Sequence, residues 1–219
     1  MSDKPSSPSD IDSPLTLATL SLLSGMMSTV LFVFSLQPVT QDPAQLLIAV
    51  ADHRLQFAAQ AIAVLVWAVV SVPCVVAVGQ LLRPRSHSLA LAATILSSGG
   101  ILLLAYSIRT YLGAAFAILA ASPRLDAPEV IYQAAIWRNL SFMLTDPGLM
   151  TWGVGQSIFG LLARKSGLLP KWLAWVGIVG GLAGVLTDAV YQSGALALIQ
   201  LASFAVWGFT IGKWLLNRR

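Results

Sequence analysis

Charge is scarce in this sequence. Only 10% of its 219 residues are Asp, Glu, Lys or Arg, while 57% are hydrophobic. Soluble domains carry about a quarter charged residues, which keep their surfaces dispersed in water. A deficit of this size excludes a compact water-facing domain. Cysteine is almost absent: Cys74 stands alone, so no intrachain disulfide can form, and a thiol within an apolar run reads as a small packing group. The CxxC, HExxH, GxSxG and phosphate-loop patterns are all missing. The two histidines, His53 and His87, fall in polar segments at opposite ends of the spans. They cannot ligate a haem together, and neither belongs to a zinc-type Cys/His cluster. Neither cofactor nor metal is expected, and nothing here points to an enzyme.

What is present is a series of apolar runs, with a mean hydropathy of +0.78. Each is long enough to cross a hydrocarbon layer of ~30 Å. The expected fold class is all-α: a polytopic membrane protein with six transmembrane helices and a short interfacial helix after the first. The spans are expected at about 15–36, 55–82, 89–110, 139–163, 172–191 and 195–216. Residues 1–14 are rich in Ser, Pro and Asp and read as a disordered cytoplasmic arm, and residues 217–219 as a basic tail. PAQLLIAVADHR is too short to span and reads as interfacial. The apolar run from Leu89 to Ala121 is too long for a bilayer, so Arg109 should mark the membrane edge.

Orientation follows from the bases in the short loops. Lys4, Arg83, Arg85, Arg164, Lys165, Lys171, Lys213, Arg218 and Arg219 fall on one side; Arg54, Arg124 and Arg138 fall on the other. Both termini should therefore be cytoplasmic. Trp172, Trp175 and Trp214 then fit the inner aromatic belt and Trp137 the outer one. The formal charge of +4 is scattered over loop ends, forms no groove or stripe, and implies no nucleic acid. The partner these bases imply is the lipid bilayer.

Small residues mark helix-packing faces. Gly177 with Gly181, and Gly180 with Gly184, are small-xxx-small pairs in the fifth span; Gly153 and Gly160 make a similar row in the fourth. A weaker row in the third span is Ser98, Gly99, Leu102, Ala105, Tyr106 and Arg109. Such rows pack helices within a chain, in a homo-oligomer or against partner membrane helices.

Three ionisable residues, Arg109, Asp146 and Asp188, fall within the spans, all towards the outer side. An embedded charge is costly and seeks shelter or a partner, so Arg109 is expected to bridge the two aspartates. Tyr106, Tyr111, Thr187, Tyr191 and Gln192 form a candidate rim. Asp146 has two readings. It could cap a helix beginning at Pro147, or it could be a kink-site carboxylate facing an outward polar cavity. The second suggests a small-solute, cation or proton translocator. The alternative function is a non-catalytic interaction or scaffold module working through its glycine faces.

The stretch ARKSGLLPKWLAWVGIVGGLAG, Ala163 to Gly184, resembles the signature of a bacterial membrane-protein family of unknown function. Its marks are a Leu-Pro-Lys/Arg-Trp-Leu turn ahead of a glycine-rich fifth helix. The resemblance implies six spans, an interfacial segment after the first and a plasma-membrane location. It supplies no catalytic or binding residues.

Overall fold

The computed structural model describes residues 14–35, 42–122, 124–189 and 194–217. The expected arm and basic tail lie almost wholly outside the described residues, as do Tyr191 and Gln192. Among the described residues seven helices make up the fold: α1 (Pro14–Ser35), α2 (Pro43–Asp52), α3 (Arg54–Leu82), α4 (His87–Ala121), α5 (Pro128–Ser166), α6 (Lys171–Ala189) and α7 (Gly194–Leu216). No strand occurs among the described residues. Four of the helices, α1, α3, α4 and α7, are long and apolar enough to cross a membrane. The chain is an all-helical membrane protein.

Local chemistry sets the helix ends. The Asp42 carboxylate accepts the Ala44 N–H at 2.9 Å, and Pro43 opens the first turn of α2. Pro128 does the same for α5, with Glu129 in the first turn, where the helix dipole favours an anion. At its other end α5 carries Arg164 and Lys165 in the last turn and stops at Gly167, whose φ of 67° suits glycine.

One expectation is corrected here. Asp146 does not cap a helix starting at Pro147, because α5 runs unbroken through both residues. Pro147 lacks the N–H that would bond the Met143 carbonyl, but the helix is carried across by packing on both sides. The Thr151 hydroxyl donates to the Pro147 carbonyl at 2.7 Å.

Six helices close into a ring in the order α1, α3, α4, α5, α6, α7 and back to α1. Each seam is built from small residues. Serines zip α1 to α3: Ser24 Oγ lies 2.9 Å from Ser71 Oγ, the Trp67 indole donates to Ser28 Oγ at 2.9 Å, and Ser21 meets the Cys74 sulfur at 3.5 Å. Gly79 lies against Thr94 where α3 meets α4. Gly100 lies against the backbone of Gly148 and Trp152 where α4 meets α5. Gly153 meets the Gly181 carbonyl across the α5/α6 seam, and Gly208 meets the Ser21 carbonyl where α7 closes on α1. Lipid tails are as apolar as the side chains, so close van der Waals contact and interhelical hydrogen bonds hold such helices together.

The centre of the ring is filled. Trp67 of α3, Trp152 of α5 and Phe204 of α7 come from alternate helices and pack edge-to-face, with ring centroids 5.1 to 6.4 Å apart. This arrangement suits the aromatic quadrupoles. Beside the trio lies a cavity of about 20 Å³, lined by Cys74, Ser97 and Gln156 among others. That is room for about one water.

A second, smaller core stands at one end. Leu46, Leu47 and Val50 of α2 pack on Ala115 and Ile118 of α4 and on Val130 and Ala134 of α5. The surplus lengths of α4 and α5 beyond the ring are what this cap is made of.

Candidate functional site

The three embedded charges do not come together as a trio. Ser107 fixes which side of α4 faces α5: its hydroxyl lies 2.7 Å from Ser141 Oγ and 2.6 Å from Thr145 Oγ1, and it donates to the Ser141 carbonyl at 2.8 Å. Two residues further on, a helix has turned by about 200°, so Arg109 points away from α5. It is exposed on the α3 side of α4, in a groove with Leu65, Val69, Val72, Leu102 and Tyr106. That groove contains no carboxylate, and Arg109 makes no ion pair among the described residues.

The helix positions 146 and 188 lie towards the same end of the α5/α6 seam. On α5, Gly153 meets α6 between Gly181 and Val185. The two helices are antiparallel, so moving seven residues back along α5 and seven forward along α6 leads the same way. Seven residues are about two turns, which keeps the same helix face. Those steps reach Asp146 from Gly153 and Asp188 from Gly181. Asp146 is half-buried and has interaction partners; the side chain of Asp188 lies outside what is described.

The expected rim scatters. Tyr106 is 58% exposed beside Arg109. Thr187 is buried, and its hydroxyl donates to the Ala183 carbonyl one turn back at 2.9 Å. Tyr111 packs into the cap, where burial pushes its phenol up to about 12, with Arg138 pulling it the other way. Among the described residues no group of three or more His, Cys, Asp or Glu gathers to hold a metal ion. His87 accepts from Arg83 Nε at 2.6 Å on the surface.

The glycines of α6 divide between two neighbours. Gly181 faces Gly153 and Ser157 of α5, while Gly177 lies under the Trp207 indole, Gly180 against Ser203 and Gly184 against Gln200, all of α7. Gly160 of α5 meets Ala174 and Ile178 of α6. The row expected on α4 holds only in part: Ala105 is buried, but Gly99 has open space around it and Leu102, Tyr106 and Arg109 are exposed, whereas the neighbouring Ser97, Gly100, Leu104 and Ser107 are buried. A step of one residue rotates a helical face by about 100°, and the isolated row carried too few polar residues to fix the phase.

Sequence reasoning missed the polar interior. Gln156 Nε2 donates to Ser203 Oγ at 2.7 Å, which donates to the Gln200 carbonyl at 2.7 Å, and Gln200 Nε2 reaches the Leu149 carbonyl at 3.2 Å. Gln156 and Gln200 are 3% and 0% exposed, and the side-chain carbonyl of each has no partner among the described residues. The available signal was two glutamines inside apolar runs, a placement that demands internal partners.

A family model described as a domain of unknown function (DUF4386) matches residues 17–218. No curated protein and no solved structure shows a significant match. The chain belongs to the DUF4386 family.

Proposed function

We propose that this chain is a six-span protein of a bacterial plasma membrane that binds a small cation or a proton at the outer end of the α5/α6 seam. Both termini are cytoplasmic in this reading, as the loop bases require. The spans are the six members of the ring, within residues 15–216. Two of them, α5 and α6, fall short of the other four in length or apolarity, but each is packed on both flanks by ring neighbours. The cap of α2 with the ends of α4 and α5 then stands on the outer side.

The Gly153–Gly181 contact supports the functional reading: residues 146 and 188 each lie seven positions, about two turns, from it towards the same end of the α5/α6 seam. Two carboxylates that met at that end of the seam would favour a shared proton or a bound cation. Arg109 takes no part, since it turns to the opposite side of α4. The aromatic trio closes the centre of the ring, so movement through the protein would require Trp67, Trp152 and Phe204 to part.

The test is proton and sodium flux in vesicles holding the purified full chain. Asp146→Asn and Asp188→Asn should each abolish it. Flux that survives in the double variant removes this reading. The scaffold alternative has less support, because the glycines it would offer to partner helices are occupied by α5 and α7 of the same chain.

A further inference from the structure

Arg109 is anomalous among the described arginines. Arg83 has His87 as an acceptor, Arg138 lies over the Phe142 ring and Arg164 over the Trp175 ring. Arg54, Arg85 and Arg124 sit at helix ends or in connecting segments, where water serves them. Arg109 is in the interior of α4, exposed, with no partner among the described residues. A guanidinium at the edge of hydrocarbon must find an anion or a headgroup layer. The helix from His87 to Arg109 is about 33 Å long, close to the ~30 Å of a hydrocarbon core. With His87 at one headgroup plane, Arg109 reaches the other.

Beneath it, α3 and α4 enclose an apolar groove of about 590 Å³. Leu65, Val69 and Val72 form one wall; Leu102 and Tyr106 form the other, with Arg109 at the end. Pro73 contributes to the opening, since its missing N–H leaves the Val69 carbonyl without its helical donor. Tyr106, one turn before Arg109, is the residue type that gathers at membrane interfaces. The groove thus has an apolar channel about two helical turns long and a single cation at its mouth.

We propose that this groove binds one anionic phospholipid, with the phosphate on Arg109 and an acyl chain laid between α3 and α4. Charge complementarity selects the occupant. The mouth has one fixed positive charge and no lining carboxylate, so a headgroup of net negative charge neutralises it, whereas a zwitterionic one leaves its ammonium unmatched. The guanidinium fork suits a phosphate by paired hydrogen bonds. The proposal rests on the membrane placement above and is independent of the carboxylate pair.

The experiment is native mass spectrometry of the delipidated full chain in detergent. It is titrated with phosphatidylglycerol and with phosphatidylethanolamine of the same acyl chains. Phosphatidylglycerol should bind in one high-affinity copy, and Arg109→Gln should weaken it about tenfold, as loss of one charge-assisted contact implies. Val69→Trp, at a position 73% exposed on the groove wall, should displace both lipids by filling the channel. Arg85→Gln should leave retention unchanged. Equal retention of the two lipids, or wild-type binding by Arg109→Gln or Val69→Trp, overturns the proposal. An equal loss with Arg85→Gln also overturns it, because binding would then follow overall charge.

Discussion

The ring and the cap are both hydrophobic cores, yet they are assembled from different residues. The ring seams use glycine and serine, and large side chains appear mainly at its centre in Trp67, Trp152 and Phe204. The cap is joined by Leu46, Leu47, Val50, Ile118 and Val130, with no glycine contact among its members. The proposed placement explains the contrast. Helices surrounded by lipid gain no hydrophobic energy by meeting, so backbones must come close enough for dispersion and hydrogen bonds to act. A cap in water gains about 25 cal/mol for each Å² of apolar surface it hides, so bulky aliphatic residues serve it best. One chain therefore carries two packing codes, and helices α4 and α5 change from one to the other along their length.

The sharpest attack on the ring is Trp152→Ala. Trp152 is almost wholly buried, touches both other members of the trio and lies against Gly100. Its removal leaves a cavity with no lipid access and breaks two edge-to-face pairs. A cost of about 3–5 kcal/mol is expected, read as a lowered unfolding midpoint of the detergent-solubilised protein. The cap should stay folded up to that lower midpoint. If the variant loosens the cap as well as the ring, the two cores are not separable units.

The matching attack on the cap is Leu47→Ala. Leu47 has no exposed surface and packs against α4 and α5. The loss should be about 2–3 kcal/mol, confined to the cap. Hydrogen exchange should speed in α2 and in the flanking ends of α4 and α5, while α1, α6 and α7 keep their protection. Uniform acceleration across all seven helices would mean that the cap braces the ring.

How much of this was legible beforehand follows the same division. The α2 segment could be read because PAQLLIAVADHR is an apolar run too short to span, whereas the start of α5 at Pro128 lies eleven residues ahead of the span expected at 139–163. The long third apolar run, with Arg109 inside it, already implied a projection beyond the bilayer. Glycine spacing in α6 was visible, but that Gly181 serves α5 while Gly180 and Gly184 serve α7 depends on the ring order, which no local pattern contains. The phase of α4 was missed because Ser98-Gly99 and Ser97-Gly100 are almost equal in composition. Arg109 was paired with the aspartates on the ground that embedded charges seek one another. That expectation counted only protein groups as partners, and a lipid phosphate is an equally available anion.

The smallest expected effect is also the most specific to the cap. Tyr111 lies past the proposed membrane edge, and burial lifts its phenol from 10.0 to about 12 in the folded cap. An unfolded cap returns it to the lower value. Between those two pH values the unfolded form releases a proton that the folded form keeps. The folded state then binds more protons, and stability falls as pH rises. Below about pH 10 the contribution is complete and flat. A fluorophore on Ile48→Cys, an exposed position of α2, would follow undocking of the cap. The wild-type signal should shift towards the undocked form across this window, and Tyr111→Phe should flatten that response. The ring contains no counterpart to this residue in a water-facing core, so its unfolding midpoint should not change with the substitution. A ring that destabilises in step with the cap would show that Tyr111 transmits its titration along α4, and the two cores would have to be treated as one.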